Sequence, residues 1–177
     1  MTTESIIVER ALVFASAAHA AVGQKRKYTG EDYIVHPVEV ADIVRSVPHT
    51  EAMVAAALLH DTVEDTAVTL ELIRGMFSDE VAELVYWLTD ISINVVGNRA
   101  FRKELDRKHM GNAPAEAQTV KVADLISNGR SIFKHDPAFA KTYLQEKSLL
   151  LAMLTKADAT LLKIASDLCM DYVLDKK

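Results

Sequence analysis

Residues 51–66 read EAMVAAALLHDTVEDT, an apolar run that turns abruptly polar near its end. Alanine and leucine favour helix, so the run predicts a tightly packed helix that begins at its first residue. At about 100° per residue, four polar side chains near the end of this helix project into one sector: His60, Asp61, Glu64 and Asp65. The sequence therefore predicts a buried helix that carries one histidine and three acids close together.

Apolar residues recur at helical spacing on both sides of this run, which predicts roughly nine helices. Of the 177 residues, 50% are hydrophobic and only 6 are Gly and 4 are Pro, a composition that argues against a turn-rich sandwich or barrel. We therefore expect an all-α fold, with Thr3 or Ser5 capping the first helix. Within about 2–4 residues at each end, the expected helices span 3–22, 36–48, 51–66, 69–76, 78–89, 98–110, 114–133, 137–154 and 158–173.

The length and the lack of a linker predict a single domain over residues 1–177. Lys and Arg number 20 against 25 Asp and Glu, and this net charge of -5 disfavours a nucleic-acid partner held by general attraction. The single cysteine, the acidic start of the chain and the absence of an apolar stretch of about 20 residues predict a cytoplasmic protein without membrane contact. The oligomeric state is left open.

The acids and the histidine beside the apolar run would repel one another if they were buried together without a cation. A metal ion would remove that conflict. His60 and Asp61 supply only two ligands, so further ligands must come from elsewhere in the chain. Two candidates are His36, at the start of the second helix, and Asp124, within KVADLISNGRS at residues 121–131.

Three motifs together point to a known family: HP at residues 36–37, HDTVED at 60–65, and KVAD at 121–124 with Asn128 four residues after the aspartate. This combination resembles the histidine–aspartate (HD-domain) metal-dependent phosphohydrolases, and within them the small alarmone hydrolases and the hydrolase domains of RelA/SpoT-type enzymes. The resemblance covers about residues 15–131. It implies that the all-α fold is a single HD-domain helical bundle.

The resemblance also implies a metal centre with one Mn²⁺ ion per chain. Two imidazoles and two carboxylates leave about two positions of an octahedral ion for water and substrate. Water activated in this way would attack phosphorus. The implied metal ligands are His36, His60, Asp61 and Asp124.

Glu64 and Asp65 match the catalytic acidic pair of the family, which implies that they orient water and transfer protons. Which of the two removes the proton stays open, because that depends on local pKa and geometry.

The basic loop GQKRKYTG at residues 23–30 resembles the substrate loop of the family. Arginine can stack on a purine, and lysine can bind phosphate. Arginines three residues apart on one helical side could bind outer phosphates, and a lysine one turn before the ligand aspartate could bind a further one. The expected substrate-binding residues are Arg26, Lys27, Arg99, Arg102, Lys121, Asn128 and Ser131.

The implied activity is that of a guanosine-3′,5′-bis(diphosphate) 3′-pyrophosphohydrolase, an enzyme of the stringent response that removes pyrophosphate from (p)ppGpp or (p)ppApp. The expected partner is therefore a small nucleotide. The better-known bifunctional enzymes of the family usually read ADRLHN where this chain reads ADLISN, so that Leu125 and Ser127 replace a basic residue and a histidine. Because of this departure, a phosphatase for another 2′- or 3′-phosphorylated nucleotide such as NADPH, or a non-catalytic nucleotide sensor, remains an alternative.

Overall fold

The computed structural model describes residues 5–174, which form ten helices and one isolated β-bridge. The all-α prediction is therefore confirmed. These residues fall into two compact units, divided between Thr89 and Asp90. Among the predicted caps, Ser5 accepts a hydrogen bond from the backbone N–H of Ile7, whereas Thr3 lies outside the described residues. The expectation of a single domain over 1–177 stays a prediction.

The first unit is built around the alanine-rich run, which forms a central helix that packs against three others. Every residue from Ala52 to Leu59 is buried, because small alanines let neighbouring helices approach this helix from all sides. Thr50 and Ser78 cap two of the helices by accepting hydrogen bonds from backbone N–H groups. The helices are α1 (Ile6–Ala21), α2 (Val35–Arg45), α3 (Glu51–Leu59), α4 (Thr62–Asp65), α5 (Leu70–Met76) and α6 (Asp79–Leu88), with α1, α2 and α6 lying against α3.

The helix predicted over 51–66 is broken, which is the main difference from the sequence-based expectation. Helix α3 ends before His60, and the short α4 begins after Asp61. The Nδ1 of His60 lies 2.8 Å from the carbonyl oxygen of Ala57, and the hydroxyl of Thr62 donates to the carbonyl of Leu59 at 2.7 Å. Side chains thus occupy carbonyls that a continuous helix would use, and the chain turns there.

The second unit contains four helices, a long central one and three that pack against it. Helix α8 packs against the other three, and most of its residues are buried. Asn98 caps the first of these helices by accepting a hydrogen bond from the backbone N–H of Phe101. The helices are α7 (Arg99–Asn112), α8 (Ala115–His135), α9 (Pro137–Leu151) and α10 (Ala159–Leu174). No helix within residues 5–174 combines the length and the apolar character needed to cross a membrane.

Candidate metal centre

Three of the predicted metal ligands lie together in the first unit. The Nε2 atoms of His60 and His36 lie 3.0 Å and 3.7 Å from the same oxygen, Oδ2 of Asp61. The two imidazole rings are 5.3 Å apart between centroids, and both are almost fully buried, with 1% of each residue exposed. Two ring nitrogens and a carboxylate oxygen therefore converge on a small volume inside the unit.

Local structure fixes the direction of the His60 ring. This residue follows the last turn of α3, where its Nδ1 meets the carbonyl oxygen of Ala57 at 2.8 Å. A carbonyl can only accept a hydrogen bond, so Nδ1 carries the proton and Nε2 is the ring atom left to bind a metal ion. Histidines that bind metals commonly show this arrangement, with the second ring nitrogen donating to a backbone carbonyl.

A tyrosine that the sequence analysis missed completes this cluster. The hydroxyl of Tyr33 donates to Oδ2 of Asp61 at 2.6 Å, and its ring centroid lies 5.8 Å from that of His36. Tyr33 precedes His36 by three residues, and its carbonyl accepts the backbone N–H of that histidine at 3.0 Å. No spacing in the sequence links Tyr33 to Asp61, because the two residues lie 28 positions apart along the chain.

The predicted catalytic acids occupy the short helix α4, directly after Asp61. Glu64 is partly buried and Asp65 is exposed. The Oδ2 of Asp65 accepts a hydrogen bond of 2.8 Å from Nε2 of Gln24, which belongs to the loop after α1. No motif in the sequence singles out Gln24, because Asp65 lies 41 residues away along the chain.

The predicted basic loop at residues 23–30 makes contacts with Asp32 and Tyr33, which follow it in the sequence. Lys25 and Asp32 face each other across an isolated bridge and form an ion pair of 2.5 Å. Arg26 lies over the ring of Tyr33, at 5.9 Å from its centroid, and therefore sits beside a residue that contacts the cluster. Lys27 is exposed.

In the second unit, the structure brings together three residues predicted for the site. Asp124 is buried on α8, and its Oδ2 lies 3.0 Å from Nζ of Lys121. Its Oδ1 accepts a hydrogen bond of 2.5 Å from the side-chain amide of Asn128. Both oxygens of this carboxylate are thus oriented by neighbours one turn away on the same helix.

The remaining predicted contacts lie on α7 and α8. Arg99 forms two hydrogen bonds with Glu146, of 2.6 Å and 2.9 Å, and this bonding raises the pKa of Arg99 and lowers that of Glu146. Arg102 donates to the carbonyl of Gly97 at 2.9 Å. Ser131 is partly buried on α8. The phosphate contacts expected of the two arginines stay predictions.

Two lysines that the sequence analysis overlooked accompany Lys121 in the second unit. Burial, reinforced by the charge of Lys121, lowers the pKa of Lys147 to about 8. Burial alone would raise the pKa of Asp90, but Lys121 and Lys103 outweigh it and hold that pKa below its usual value. Lys103 forms an ion pair of 2.7 Å with Asp90. These lysines lie on three different helices, and a motif search over short spacings cannot group them.

The donor set is chemically suited to a divalent cation. Among the described residues, His36, His60 and Asp124 are buried side chains that each offer one atom able to bind a metal ion. Asp61 adds a carboxylate oxygen beside both histidines. Imidazole nitrogen combined with carboxylate oxygen suits manganese, iron and zinc better than it suits calcium.

Comparison with known proteins shows which family this chain resembles in sequence. A sequence model described as "HD domain" matches residues 11–154. The chain is 37% identical over 134 residues to a probable guanosine-3′,5′-bis(diphosphate) 3′-pyrophosphohydrolase of Synechocystis, an alignment that covers 74% of this chain and 17% of that protein. It is 39% identical over 128 residues to a probable GTP pyrophosphokinase of Mycobacterium leprae, covering 71% of this chain and 16% of that protein. This chain thus matches about a sixth of the length of these relatives.

A solved structure resembles the chain over nearly its whole length. It is described as a metazoan ortholog of SpoT that hydrolyzes ppGpp and plays a role in starvation responses. The TM-score is 0.84 at 26% sequence identity, and the superposition covers 95% of this chain and 96% of the other. The fold of this chain is therefore close to that of a hydrolase of similar size.

Proposed function

The chain belongs to the HD-domain family, and from this membership we propose that it is a metal-dependent hydrolase that releases pyrophosphate from the 3′ position of (p)ppGpp or (p)ppApp. The Synechocystis relative and the metazoan structure, both described as acting on this class of nucleotide, support the substrate. The proposal includes a cytoplasmic role in the stringent response.

The convergence of His36 and His60 on Asp61 carries the proposal. Two buried Nε2 atoms face one carboxylate oxygen, which also accepts a hydrogen bond from the hydroxyl of Tyr33. Gathering electron-pair donors inside a protein is unfavourable unless a cation neutralises them. The protonated Nδ1 of His60 leaves its Nε2 for that cation. These residues therefore fit a divalent metal ion.

We assign Asp124 as the fourth ligand and Mn²⁺ as the ion, one per chain. Asp124 is buried, and Lys121 and Asn128 orient its two oxygens. It is the aspartate of the KVAD motif, the position at which the family supplies a ligand. Two histidines and two aspartates would hold the ion, which would supply Lewis-acid chemistry to water and to a phosphate oxygen.

The acids of α4 would handle the protons of the reaction. A bound divalent ion lowers the pKa of water and offsets charge on phosphoryl oxygens. Water attacks the phosphorus atom that is attached to the 3′ oxygen, and the bond between this phosphorus and the 3′ oxygen breaks. Pyrophosphate departs, and the 3′ oxygen gains a proton. Glu64 and Asp65 follow Asp61 within one turn, and we assign to them the removal of the water proton and its delivery.

Cations in both units would bind the nucleotide. Arg26, held beside Tyr33, is placed to stack on the purine, and Lys27 is exposed for a phosphate. Lys121 provides a further phosphate contact, and we add Lys147, a second lysine of the same unit, whose pKa is lowered to about 8 by burial and by the charge of Lys121. The remaining proposed substrate contacts are Asn128 and Ser131 on α8 and Arg99 and Arg102 on α7.

A second candidate activity follows from ADLISN. Leu125 and Ser127 are both buried, so this part of α8 lacks the basic side chain and the imidazole that are common in the family. Without them, selection for a 3′-diphosphate would be weaker, and a nucleotide with a 2′- or 3′-monophosphate, such as NADPH, becomes the alternative substrate. A nucleotide sensor without turnover is the third possibility, which intact Glu64 and Asp65 disfavour.

A product assay separates these functions. Mn²⁺-loaded protein is incubated with guanine alarmone, adenine alarmone and NADPH, and pyrophosphate is resolved from orthophosphate. We expect pyrophosphate from an alarmone, and its loss both on chelation and in Asp61→Asn, whereas the matched variant Asp42→Asn on the exposed side of α2 keeps full activity. Orthophosphate from NADPH alone would establish the second candidate, and tight alarmone binding without product would establish the sensor.

A further inference from the structure

A chain of hydrogen bonds runs from the end of α1 to the acid pair. The Nδ1 of His19 lies 2.7 Å from Oε1 of Gln24, and Nε2 of Gln24 donates to Oδ2 of Asp65 at 2.8 Å. His19 is 1% exposed, Gln24 is partly buried and Asp65 is exposed. The chain thus begins in the interior of the first unit and ends at a side chain to which we assign proton transfer.

The chemistry of these groups gives the chain one direction. An amide oxygen only accepts and an amide nitrogen only donates, so the contact with the Asp65 carboxylate requires that Nε2 of Gln24 face it. Its Oε1 then faces His19, whose Nδ1 must carry the proton. Within residues 5–174, Nε2 of His19 is buried and has no hydrogen-bond partner. A proton there would be an unsatisfied buried donor, which favours the tautomer with its proton on Nδ1.

The backbone conformation at the end of α1 brings His19 and Gln24 together. Gly23 has φ of +66°, the left-handed conformation that ends many helices. The N–H of Gly23 bonds to the carbonyl of Ala20, and the N–H of Gln24 bonds to the carbonyl of His19 at 3.1 Å. This pattern is a Schellman motif, and it turns the chain back so that Gln24 lies over the last turn of α1.

His19 also contacts Tyr33, which belongs to the candidate metal centre. Its ring lies 4.7 Å from the ring of Tyr33, centroid to centroid, and the hydroxyl of Tyr33 donates to Asp61. His19 therefore touches the two side chains that donate to the first and last acids of the DTVED segment. Displacing its ring would disturb both donors.

We propose that His19 and Gln24 are positioning residues that hold the carboxylate of Asp65 in the orientation needed for proton transfer, an inference that rests on the proposed function. Asp65 is exposed on a four-residue helix, where a carboxylate samples several rotamers unless a donor holds it. Gln24 supplies that donor, and His19 fixes the amide of Gln24. Neither residue needs to touch the nucleotide.

Steady-state kinetics with an alarmone test the role of Gln24. In Gln24→Glu, the carboxylate still accepts from His19 but cannot donate to Asp65; Gln24→Met removes both bonds without adding charge. We expect both variants to lower kcat on the order of 10–100-fold with KM within about threefold, since orienting a proton-transfer group acts on the chemical step. The same changes at exposed Gln145 serve as matched controls. Equal kcat values in the Gln24 and Gln145 variants would overturn the inference.

Rescue distinguishes positioning from general support of the fold. In His19→Asn, the amide nitrogen stands where Nδ1 stood and can still donate to Gln24, whereas His19→Ala cannot. We expect His19→Asn to recover most of the kcat that His19→Ala loses. If both lose kcat equally while their melting temperatures match that of wild type, the hydrogen bond from His19 has no role.

Nuclear magnetic resonance tests the same chain without any turnover. Nitrogen chemical shifts of the labelled imidazole distinguish the two neutral tautomers, and we expect His19 to be protonated on Nδ1 and to shift in Gln24→Met. A His19 ring protonated on Nε2 alone would contradict the hydrogen-bond chain from His19 through Gln24 to Asp65. A protein that shows the Nδ1 tautomer but releases no pyrophosphate would contradict the proposed function and leave the hydrogen-bond chain standing.

Discussion

The geometry of the candidate metal centre depends on the hydroxyl of Tyr33. It donates to Oδ2 of Asp61, the carboxylate oxygen that both Nε2 atoms face. Partners of this kind commonly change metal affinity 10–100-fold because they orient a ligand and keep it from rotating away. Asp61 therefore depends on a residue that lies outside every motif in the sequence.

Tyr33→Phe keeps the ring and removes this hydroxyl. We expect the Kd for Mn²⁺ to rise on the order of 10-fold and kcat to fall, because the Asp61 carboxylate loses the donor that orients it. Calorimetric titration with Mn²⁺ measures the affinity. Tyr86→Phe, at a half-exposed position on α6, is the control and should bind the ion as wild type does. Unchanged affinity in Tyr33→Phe would remove Tyr33 from the centre.

Single residues also show which parts of the site can be predicted from sequence. His36, His60, Asp61 and Asp124, the proposed metal ligands, fall within short motifs whose residue types suggest metal binding. Tyr33 and Gln24 do not, since their partners Asp61 and Asp65 lie 28 and 41 residues away along the chain. Contacts over such separations depend on how the helices pack, which the spacing of residues does not encode.

At the scale of helices and loops, the ends of most elements are predictable because the chain signals them locally. Thr50, Ser78 and Asn98 accept hydrogen bonds from the first turns of α3, α6 and α7, and each lies within a residue of the predicted start. The break between α3 and α4 was not predicted. It depends on hydrogen bonds from the side chains of His60 and Thr62 to backbone carbonyls. The alanine-rich sequence predicts a continuous helix and gives no sign of these bonds.

Gln118 joins the end of α7, the start of α8 and the segment before α10. Its side chain is fully buried, its Nε2 donates to the carbonyl of Gly111 at 3.1 Å, and its Oε1 accepts the backbone N–H of Lys156 at 2.9 Å. We expect Gln118→Leu to lower the free energy of unfolding by about 2–3 kcal/mol, because these backbone groups stay buried without partners. Urea denaturation measures the loss. The exposed Gln145→Leu should change stability by less than about 0.5 kcal/mol.

Lys147 on α9 is expected to favour function at the expense of stability. Its pKa of about 8 in the folded protein lies below the usual 10.5, because burial and Lys121 disfavour its charge. Between these pH values the unfolded chain binds more protons, so the stability of the wild type rises with pH across that window. We expect Lys147→Met to be more stable than wild type at pH 7 by about 2 kcal/mol, and this advantage to shrink towards pH 10.5.

Denaturation at pH 7 and pH 10 measures this difference, and the alarmone assay shows the accompanying loss of turnover. Lys163→Met is the control, since Lys163 is exposed and paired with Asp167 at 2.6 Å on α10. Its stability should change little and in the same way at both pH values. A Lys147→Met protein that is less stable than wild type at pH 7 would contradict the expected cost of burying this charge.

At the scale of the whole molecule, the HD-domain match spans residues 11–154 and so includes parts of both compact units. Three proposed ligands belong to the first unit and Asp124 to the second. A single ion would therefore take ligands from two parts of the chain, each of which has its own core. Metal binding would then couple the stability of the two units, as ligands that bind only the folded state do.

Counting the bound metal tests this requirement most directly. Protein is loaded with Mn²⁺, desalted and analysed for metal content, for the wild type and for His36→Ala, Asp61→Asn and Asp124→Asn, with Asp42→Asn as the control. We expect one Mn²⁺ per chain in the wild type and the control, and a loss in all three ligand variants, including Asp124→Asn from the second unit. An Asp124→Asn protein that retains one tightly bound Mn²⁺ per chain would contradict this expectation.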